Sequence, residues 1–164
     1  YLDDVKVGGS AQTTAAVGAV LEPVKNLKFD VGYRYVDRLY ANLNLLSFVY
    51  EAAGKQGSLE LPSYGLLDLG MSYRIPLRDP SQYFTLRGNV YNVLNKTYIS
   101  ESNTNIHANL TADQYAAING GTVASTATNY NLYKAAGNWN DVNKLNQVYF
   151  GYGTTWAATL SFNF

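Results

Sequence analysis

The chain has 164 residues and a net charge of zero, so it offers no basic surface of the kind that binds nucleic acid. It contains no cysteine, which excludes disulfides, thiol catalysis and zinc–thiolate sites within it. Charged residues make up only 15% of the chain, against about 25% in soluble domains, whereas 15 tyrosines help raise the aromatic content to 14%. Low charge, many tyrosines and no apolar run long enough for a membrane helix are typical of a transmembrane β-barrel.

The first part of the chain alternates apolar and polar residues after a polar start. The alternation predicts a strand from Ala11, and residues 22–26 predict a tight turn because proline presets φ and asparagine tolerates the left-handed region. A second strand is predicted to run to about Tyr35, with its apolar side chains on one face. The other face carries charged side chains: Lys28, Asp30 and Arg34. Charges on one face only would suit a water-filled lumen.

The middle of the chain predicts two more strands. Residues 40–62 form a polar, tyrosine-bearing loop, and alternation over residues 66–75 predicts the third strand. Residues 76–81 form a short break in which both prolines remove ladder donors. The fourth predicted strand begins at Tyr83 and continues through Tyr98 to Ser102.

An insertion rich in Asn, Thr and Ala follows over residues 103–145. Thr111 and Gln114 have the spacing of a helix capping box and Gly120 is a stop signal, which predicts one helix of about two turns. His107 is the only histidine and has no nearby cysteine or carboxylate pair, so we expect it to be a solvated loop residue. The sequence predicts no catalytic residue, metal site or cofactor, and hence no enzyme.

The closing stretch, residues 151–164, alternates most regularly. Its apolar and aromatic positions share one face, with aromatic residues at both ends that resemble the two girdles of a strand crossing a bilayer. We assign the following residues of the whole chain to lipid contact: Phe29, Tyr33, Leu67, Leu69, Tyr73, Phe84, Leu86, Trp156, Leu160, Phe162 and Phe164.

Connections between the predicted strands alternate short and long. This asymmetry is typical of transmembrane barrels, with short periplasmic turns and extracellular loops at about 40–62 and 103–145. The predicted fold is therefore an all-β, antiparallel transmembrane segment of about five strands covering residues 1–164. Because bacterial barrels begin at about eight strands and lipid does not tolerate open sheet edges, we expect the chain to be a piece of a larger barrel.

One stretch and the chain end resemble a known family. Residues 86–98, LRGNVYNVLNKTY, resemble a segment near the end of TonB-dependent outer-membrane receptors, N-x-x-N-L-x-(D/N)-K-x-Y. The matching positions are Asn89, Asn92, Val93, Leu94, Asn95, Lys96 and Tyr98, with Val-Leu where the family often has Leu-Phe. The final residues, GYGTTWAATLSFNF, are similar to the family's last strand, including Gly153, Trp156 and the terminal Phe164.

The resemblance implies a 22-stranded barrel with a plugged lumen in the outer membrane of a Gram-negative bacterium. It implies energised uptake of a scarce ligand of the siderophore, cobalamin, glycan or peptide class. The implied partners are the lipid bilayer, the rest of the barrel and its plug domain, the barrel-assembly machinery, and the TonB complex through an N-terminal part not in this chain. A surface lipoprotein is a further candidate partner; nucleic acid is not.

Ligand contact is predicted in the long loops and the lumen, because tyrosine offers an amphipathic surface with little entropy to lose. The candidate residues are Tyr40, Tyr50, Tyr64, Arg87, Tyr98, Tyr130, Tyr133 and Trp139. The alternative for the aromatic residues is loop packing or an outer girdle; for Arg87 it is cross-strand pairing or contact with a plug. Two other classes of protein stay open. The first is a passive porin, which would have no plug sequence upstream. The second is a barrel enzyme, which would carry catalytic residues at the barrel rim, or a soluble adhesin, which would dissolve without detergent.

Overall fold

The computed structural model describes residues 1–2, 5–79 and 81–164. The chain divides into two compact units, each built from three separate segments. The sheet unit comprises Thr14–Val36, Tyr64–Thr97 and Tyr152–Phe164. The connection unit comprises Tyr1–Thr13, Asp37–Ser63 and Tyr98–Gly151.

The elements follow one another along the chain with these bounds. The strands are β1 Thr13–Val24, β2 Leu27–Asp37, β3 Leu39–Tyr40, β4 Glu60–Leu61, β5 Tyr64–Pro76, β6 Tyr83–Tyr91, β7 Ile99–Ser102, β8 Asn138–Trp139, β9 Val142–Asn143, β10 Val148–Phe150 and β11 Thr155–Asn163. The helices are a 3-10 turn at Leu45–Phe48, α1 Glu51–Gln56, α2 Ala112–Ile118 and α3 Val123–Ala136.

The long strands form one five-stranded sheet in the order β1-β2-β5-β6-β11. The chain is thus mostly antiparallel sheet with few helices, as the all-β prediction requires. The sheet is not closed: β1 and β11 are its two edges in the described part of the chain.

Strand register collects the apolar side chains on one face of the sheet. Val31 lies opposite Leu69, and Leu69 lies opposite Val90. Since Val90 in turn lies opposite Trp156, one row of apolar residues crosses four strands. A parallel row runs from Tyr73 through Leu86 to Leu160, and another from Ile75 through Phe84 to Phe162. All the strand residues predicted to contact lipid therefore share this face; Phe164 follows β11, with its ring centroid 6.0 Å from that of Phe162.

The opposite face carries the charged side chains. Arg34 and Asp68 approach to 3.8 Å, and the Arg74 guanidinium lies 3.5 Å from the centre of the Tyr83 ring. Asp30 lies directly opposite Gly70, where a Cβ atom would overlap its carboxylate. Cross-strand pairing of this face, one of the two roles weighed for its charges, is therefore present in the structure.

The two short turns lie near the predicted positions, but β1 continues through Pro23 to Val24, so the first turn begins later than the predicted residue 22. Asn26 adopts a φ of 72° between β1 and β2, which asparagine tolerates better than most residues. Between β5 and β6, Asp79 Oδ1 accepts hydrogen bonds from the backbone N–H and the hydroxyl of Ser81 at 2.9 and 2.8 Å. Pro80 of the same turn lies outside the described residues.

The fourth strand is shorter than predicted, because β6 ends at Tyr91. Asn92 and Asn95 take φ values of 50° and 49°, which break the ladder into a turn. The chain re-enters a strand only at β7, which pairs with β10 in the connection unit. The expected continuation of one strand through Tyr98 to Ser102 is therefore wrong.

The turn after β6 is held by the side chain of Asn92, which is 4% exposed. Its Nδ2 donates to the carbonyl oxygens of Lys96 and Tyr152, both at 3.0 Å, and its Oδ1 accepts from the Lys96 N–H at 2.9 Å. The Thr154 hydroxyl donates to the Asn92 carbonyl at 2.8 Å, and Asp68 Oδ1 accepts from the Asn92 N–H at 2.8 Å. Asn92 thus ties the end of β6 to the segment that enters β11, and we name residues 92–96 the Asn92 clasp.

The long connections are folded, which corrects the expectation of polar loops at 40–62 and 103–145. They contain all the helices of the described chain and several short strand pairs. Most of the buried apolar side chains of the described residues lie in this unit. They are Leu39, Ala41, Phe48, Ala53, Leu59, Leu61, Ile99, Leu110, Ala116, Tyr133 and Val142.

The predicted helix in the second connection is confirmed as α2. Thr111 accepts from the Gln114 N–H at 3.2 Å, and Gln114 Oε1 accepts from the Thr111 N–H at 2.9 Å, which completes the capping box. A second helix, α3, is present where none is predicted; Thr122 and Ser125 cap it in the same reciprocal way, and Gly137 ends it at φ 69°. None of the described helices is both long and apolar enough to cross a bilayer.

Candidate ligand-binding cleft

Asparagine side chains link two of the three segments of the connection unit and also bridge within one of them. Asn105 donates to the Asn42 carbonyl at 3.0 Å and accepts from the Leu59 N–H at 3.1 Å. Asn146 Oδ1 accepts from the Ile106 N–H at 2.9 Å, and its Nδ2 donates to the Ile106 carbonyl at 2.7 Å. These carboxamides satisfy backbone groups that no regular sheet ladder reaches, so the asparagine-rich composition serves the fold of the unit.

Three tyrosine rings pack together in the connection unit. The ring centroids of Tyr115, Tyr130 and Tyr133 lie 5.1–5.8 Å apart, within the range of favourable aromatic pairs. Tyr133 is 1% exposed; its hydroxyl donates to the His107 carbonyl at 2.9 Å and accepts from the Leu110 N–H at 2.8 Å. Burial raises the pKa of the Tyr133 phenol. The tyrosine cluster therefore fixes the segment that carries His107.

A cleft of about 320 Å³ lies in the connection unit. The 3-10 turn, α1 and α2 supply walls, and the extended segment 104–107 supplies another. Its lining residues are Leu46, Ser47, Phe48, Tyr50, Ala53, Gln56, Gly57, Thr104, Asn105, Ile106, His107, Tyr115, Ile118, Asn119, Tyr133 and Leu145. The wall at Tyr50 depends on a glycine, since a Cβ atom at Gly120 would overlap the Tyr50 ring.

His107 is partly buried in this cleft, so the expectation of a solvated loop residue is wrong. Its Nε2 donates to the Gly57 carbonyl at 3.0 Å, which leaves Nδ1 as the acceptor nitrogen of the neutral ring. Burial lowers the pKa of His107, and the hydrogen bond to Gly57 opposes this only in part. The imidazole is therefore neutral near pH 7.

Protonation of His107 should destabilise the connection unit. Because the folded-state pKa lies below the ordinary value of about 6.5, the unfolded chain binds more protons between these two values. Stability is therefore highest above about pH 6.5 and falls as the pH drops through the folded-state pKa. Thermal melts between about pH 7.5 and 5.5 should show a steeper loss for the wild type than for His107→Gln. Equal slopes for the two proteins would show that His107 does not couple to folding.

The structure brings some of the predicted ligand-contact residues together and separates others. Tyr50 and Tyr133 line the cleft, and Tyr130 packs behind it, with its hydroxyl donating to the Leu110 carbonyl at 3.1 Å. Trp139 lines a second cleft of about 260 Å³, where its ring meets Phe150 edge-on at 5.5 Å.

The remaining candidates do not line either cleft. Tyr40 is in β3, which pairs with β4, and its hydroxyl donates to Glu60 at 3.3 Å. Burial raises the pKa of this phenol, and Glu60 adds to the rise. The Tyr98 ring covers Gly151. Tyr64 and Arg87 belong to the sheet unit, Tyr64 at the start of β5 and Arg87 on the charged face of β6.

Gln56, Tyr115 and Asn119 line the cleft without having been predicted to contact a ligand. The capping box did predict the helix that carries Tyr115, but nothing in the sequence signals that this helix faces α1. Among the described residues, no group of three or more His, Cys, Asp or Glu side chains is placed to hold a metal ion.

Comparison with known proteins adds no relative. No family model matches this sequence, and no curated protein or solved structure matches it significantly.

Proposed function

We propose that the chain is a segment of a transmembrane β-barrel in the bacterial outer membrane, of the TonB-dependent receptor type, that takes part in the active uptake of a scarce ligand. The observation that carries the proposal is the exposed apolar face of the five-stranded sheet. Leu160 is 66% exposed, Trp156 is 75% exposed, and residues of the inner strands such as Tyr73 remain 41% exposed. A continuous apolar face of this kind needs a cover, and lipid covers it without a second protein layer.

The charged face fits the lumen of a barrel. In a sandwich the second face would meet water and the apolar face would pack on another sheet. In a barrel the charged face lines the lumen, where ion pairs such as Arg34–Asp68 are hydrated or contact a plug. The open edges β1 and β11 have unpaired backbone groups, so the barrel requires further strands on both sides.

The connectivity supports a single orientation across the membrane. The two short turns follow β1 and β5, whereas the two long connections follow β2 and β6, so all long connections leave the opposite end of the sheet. Outer-membrane barrels place short turns in the periplasm and long loops outside. The connection unit would then face the cell exterior.

The folded connection unit favours a receptor over a passive porin. It has its own buried core and a cleft large enough for a small ligand, which a simple pore does not need. The resemblance of the segment around Asn92 and Asn95 to TonB-dependent receptors supports this family by analogy. Phe164 matches the aromatic residue that ends such barrels, and the barrel-assembly machinery would recognise it.

Cysteine labelling of the full-length protein tests the orientation, since this chain has no cysteine of its own. Ala117 is exposed on α2 and Lys25 is exposed in the turn after β1. On intact cells a membrane-impermeant maleimide should label Ala117→Cys and spare Lys25→Cys, and both should react after the outer membrane is permeabilised. If only Lys25→Cys is labelled on intact cells, the orientation is the reverse of the one proposed. If both variants are recovered in the soluble cell fraction and are labelled equally, the membrane assignment is wrong.

A further inference from the structure

The 320 Å³ cleft contains polar groups that the fold does not use. Among the described residues, no hydrogen-bond partner is present for the hydroxyls of Ser47, Tyr50 and Tyr115 or for the Gln56 amide, all four at the cleft lining. His107 Nδ1 is likewise without a partner, because only Nε2 is engaged, by Gly57. Since every buried side-chain polar atom of the described chain has a partner, these groups are open to the cleft and are not sealed in the core. The lining therefore offers donors and acceptors that a ligand can use.

The polar groups of the cleft are all uncharged. No Asp, Glu, Lys or Arg is present among the described lining residues, and the lowered pKa of His107 keeps its ring neutral. A ligand carboxylate, phosphate or ammonium would lose its hydration without gaining an ionic partner, which is costly. The cleft consequently favours a ligand without formal charge.

Apolar and aromatic groups form the rest of the lining. Phe48 is a buried part of the lining, Ile118 comes from α2, and the Tyr50 and Tyr115 rings come from different parts of the chain. Such a lining suits a ring that has one apolar C–H face and hydroxyls at its rim. The volume is near the lower end of the roughly 300–1,000 Å³ found for small-ligand pockets, which limits the ligand to one or two rings.

The walls are held in place before any ligand binds. The N-terminus of α2 is closed by its capping box, and the 3-10 turn is capped by Asn44, whose Oδ1 accepts from the Leu46 N–H at 3.1 Å. The segment that carries His107 is fixed by two hydrogen bonds, from His107 Nε2 to the Gly57 carbonyl and from the Tyr133 hydroxyl to the His107 carbonyl. Little backbone ordering remains to oppose binding.

We propose that this cleft binds a neutral sugar of one or two rings, with its hydroxyls at Tyr50, Gln56, Tyr115 and His107 and its C–H face on the tyrosine rings. The inference rests on the proposed receptor function and names the substrate class of that receptor. Aromatic rings beside uncharged hydroxyl and amide groups favour a sugar over an ionic ligand such as an anionic metal chelate.

Calorimetric titration of the detergent-solubilised full-length protein tests the inference. The probes are a panel of neutral mono- and disaccharides, together with their uronic-acid and amino-sugar analogues. At least one neutral sugar should bind saturably, and its charged analogues at least about tenfold more weakly. Tyr115→Phe and Tyr50→Phe remove one hydroxyl each and should weaken binding about 3- to 10-fold. The matched control is Tyr149→Phe, since Tyr149 is in the same unit, is 51% exposed and does not line the cleft.

Three results would overturn the inference: no neutral sugar binds, charged analogues bind as well as neutral ones, or Tyr149→Phe weakens binding as much as Tyr115→Phe. Circular dichroism of each variant shows whether a loss of binding reflects a loss of fold; if Tyr115→Phe unfolds, Gln56→Leu at an exposed position replaces it. Fractionation of the same cells separates this failure from that of the proposed function. Protein in the outer membrane that binds no sugar contradicts only the ligand class, and sugar-binding protein outside the membrane contradicts only the barrel.

Discussion

Replacement of Leu160 by Arg in the full-length protein should destabilise the protein folded in lipid vesicles by about 2–4 kcal/mol. This is the cost of an arginine near the middle of a bilayer. Leu160 lies in the middle of β11 opposite Leu86, in the apolar row that continues to Tyr73. If lipid covers this face, the guanidinium has no water and no anionic partner. The measurement is denaturant titration of the protein reconstituted in vesicles.

Ser161→Arg is the matched control, one residue along the same strand. Ser161 lies opposite Thr85 on the charged face, so its arginine would enter the proposed lumen and should cost much less. Thr159 is less suitable because it lies opposite Arg87, where a second arginine adds like-charge repulsion. A larger loss for Ser161→Arg than for Leu160→Arg would reverse the facing of the sheet, and small equal losses would contradict burial in lipid.

Asn92→Gly should destabilise the sheet by about 2–4 kcal/mol, because three hydrogen bonds of a side chain that is only 4% exposed are lost. Glycine is chosen because the φ of 50° at this position would add strain to alanine and confuse the two effects. The expected phenotype is early loss of the β6–β11 pairing, seen as faster hydrogen exchange at the start of β11.

Asn109→Gly controls for the backbone effect of the same substitution. Asn109 also has a positive φ, 58°, but it is exposed, and its side chain accepts one hydrogen bond, from Asn138 at 2.9 Å. It should lose less than about 1 kcal/mol. If Asn92→Gly and Asn109→Gly lose the same stability, the Asn92 clasp contributes nothing beyond its turn.

The sheet could be predicted from the sequence because its two strongest signals are local. Alternation in β2, β5 and β11 assigns faces directly, and the turns at Asn26 and Asp79 are too short to allow another register. The end of β6 could not be predicted in this way. Tyr91 continues the alternation, and only the tertiary contacts of Asn92 with Tyr152 and Thr154 favour a turn over further strand.

The connection unit was harder to predict because its order comes from distant contacts. The α3 segment VASTATNYNLYKAA has no clear apolar periodicity, and its helix is fixed by Tyr133 packing on the core and by a Thr122–Ser125 cap that lacks the usual Glu or Gln. The carboxamides of Asn105 and Asn146 look like loop polarity in the sequence but bridge segments about 40–46 residues apart. His107 gives no sequence signal for its burial, since Gly57 is 50 residues away.

Each half of the connection unit's core comes from a different stretch of chain, with Phe48 and Leu61 from the first long connection and Ile99 and Tyr133 from the second. A chimera that exchanges only one connection with a related protein would join two core halves that do not pack against each other, so we expect its connection unit not to fold. Transfer of binding specificity between related proteins would therefore require exchange of both connections. Insertions and deletions should be confined to exposed sites such as the turn at Asn140 and Asp141, where they leave the shared core intact.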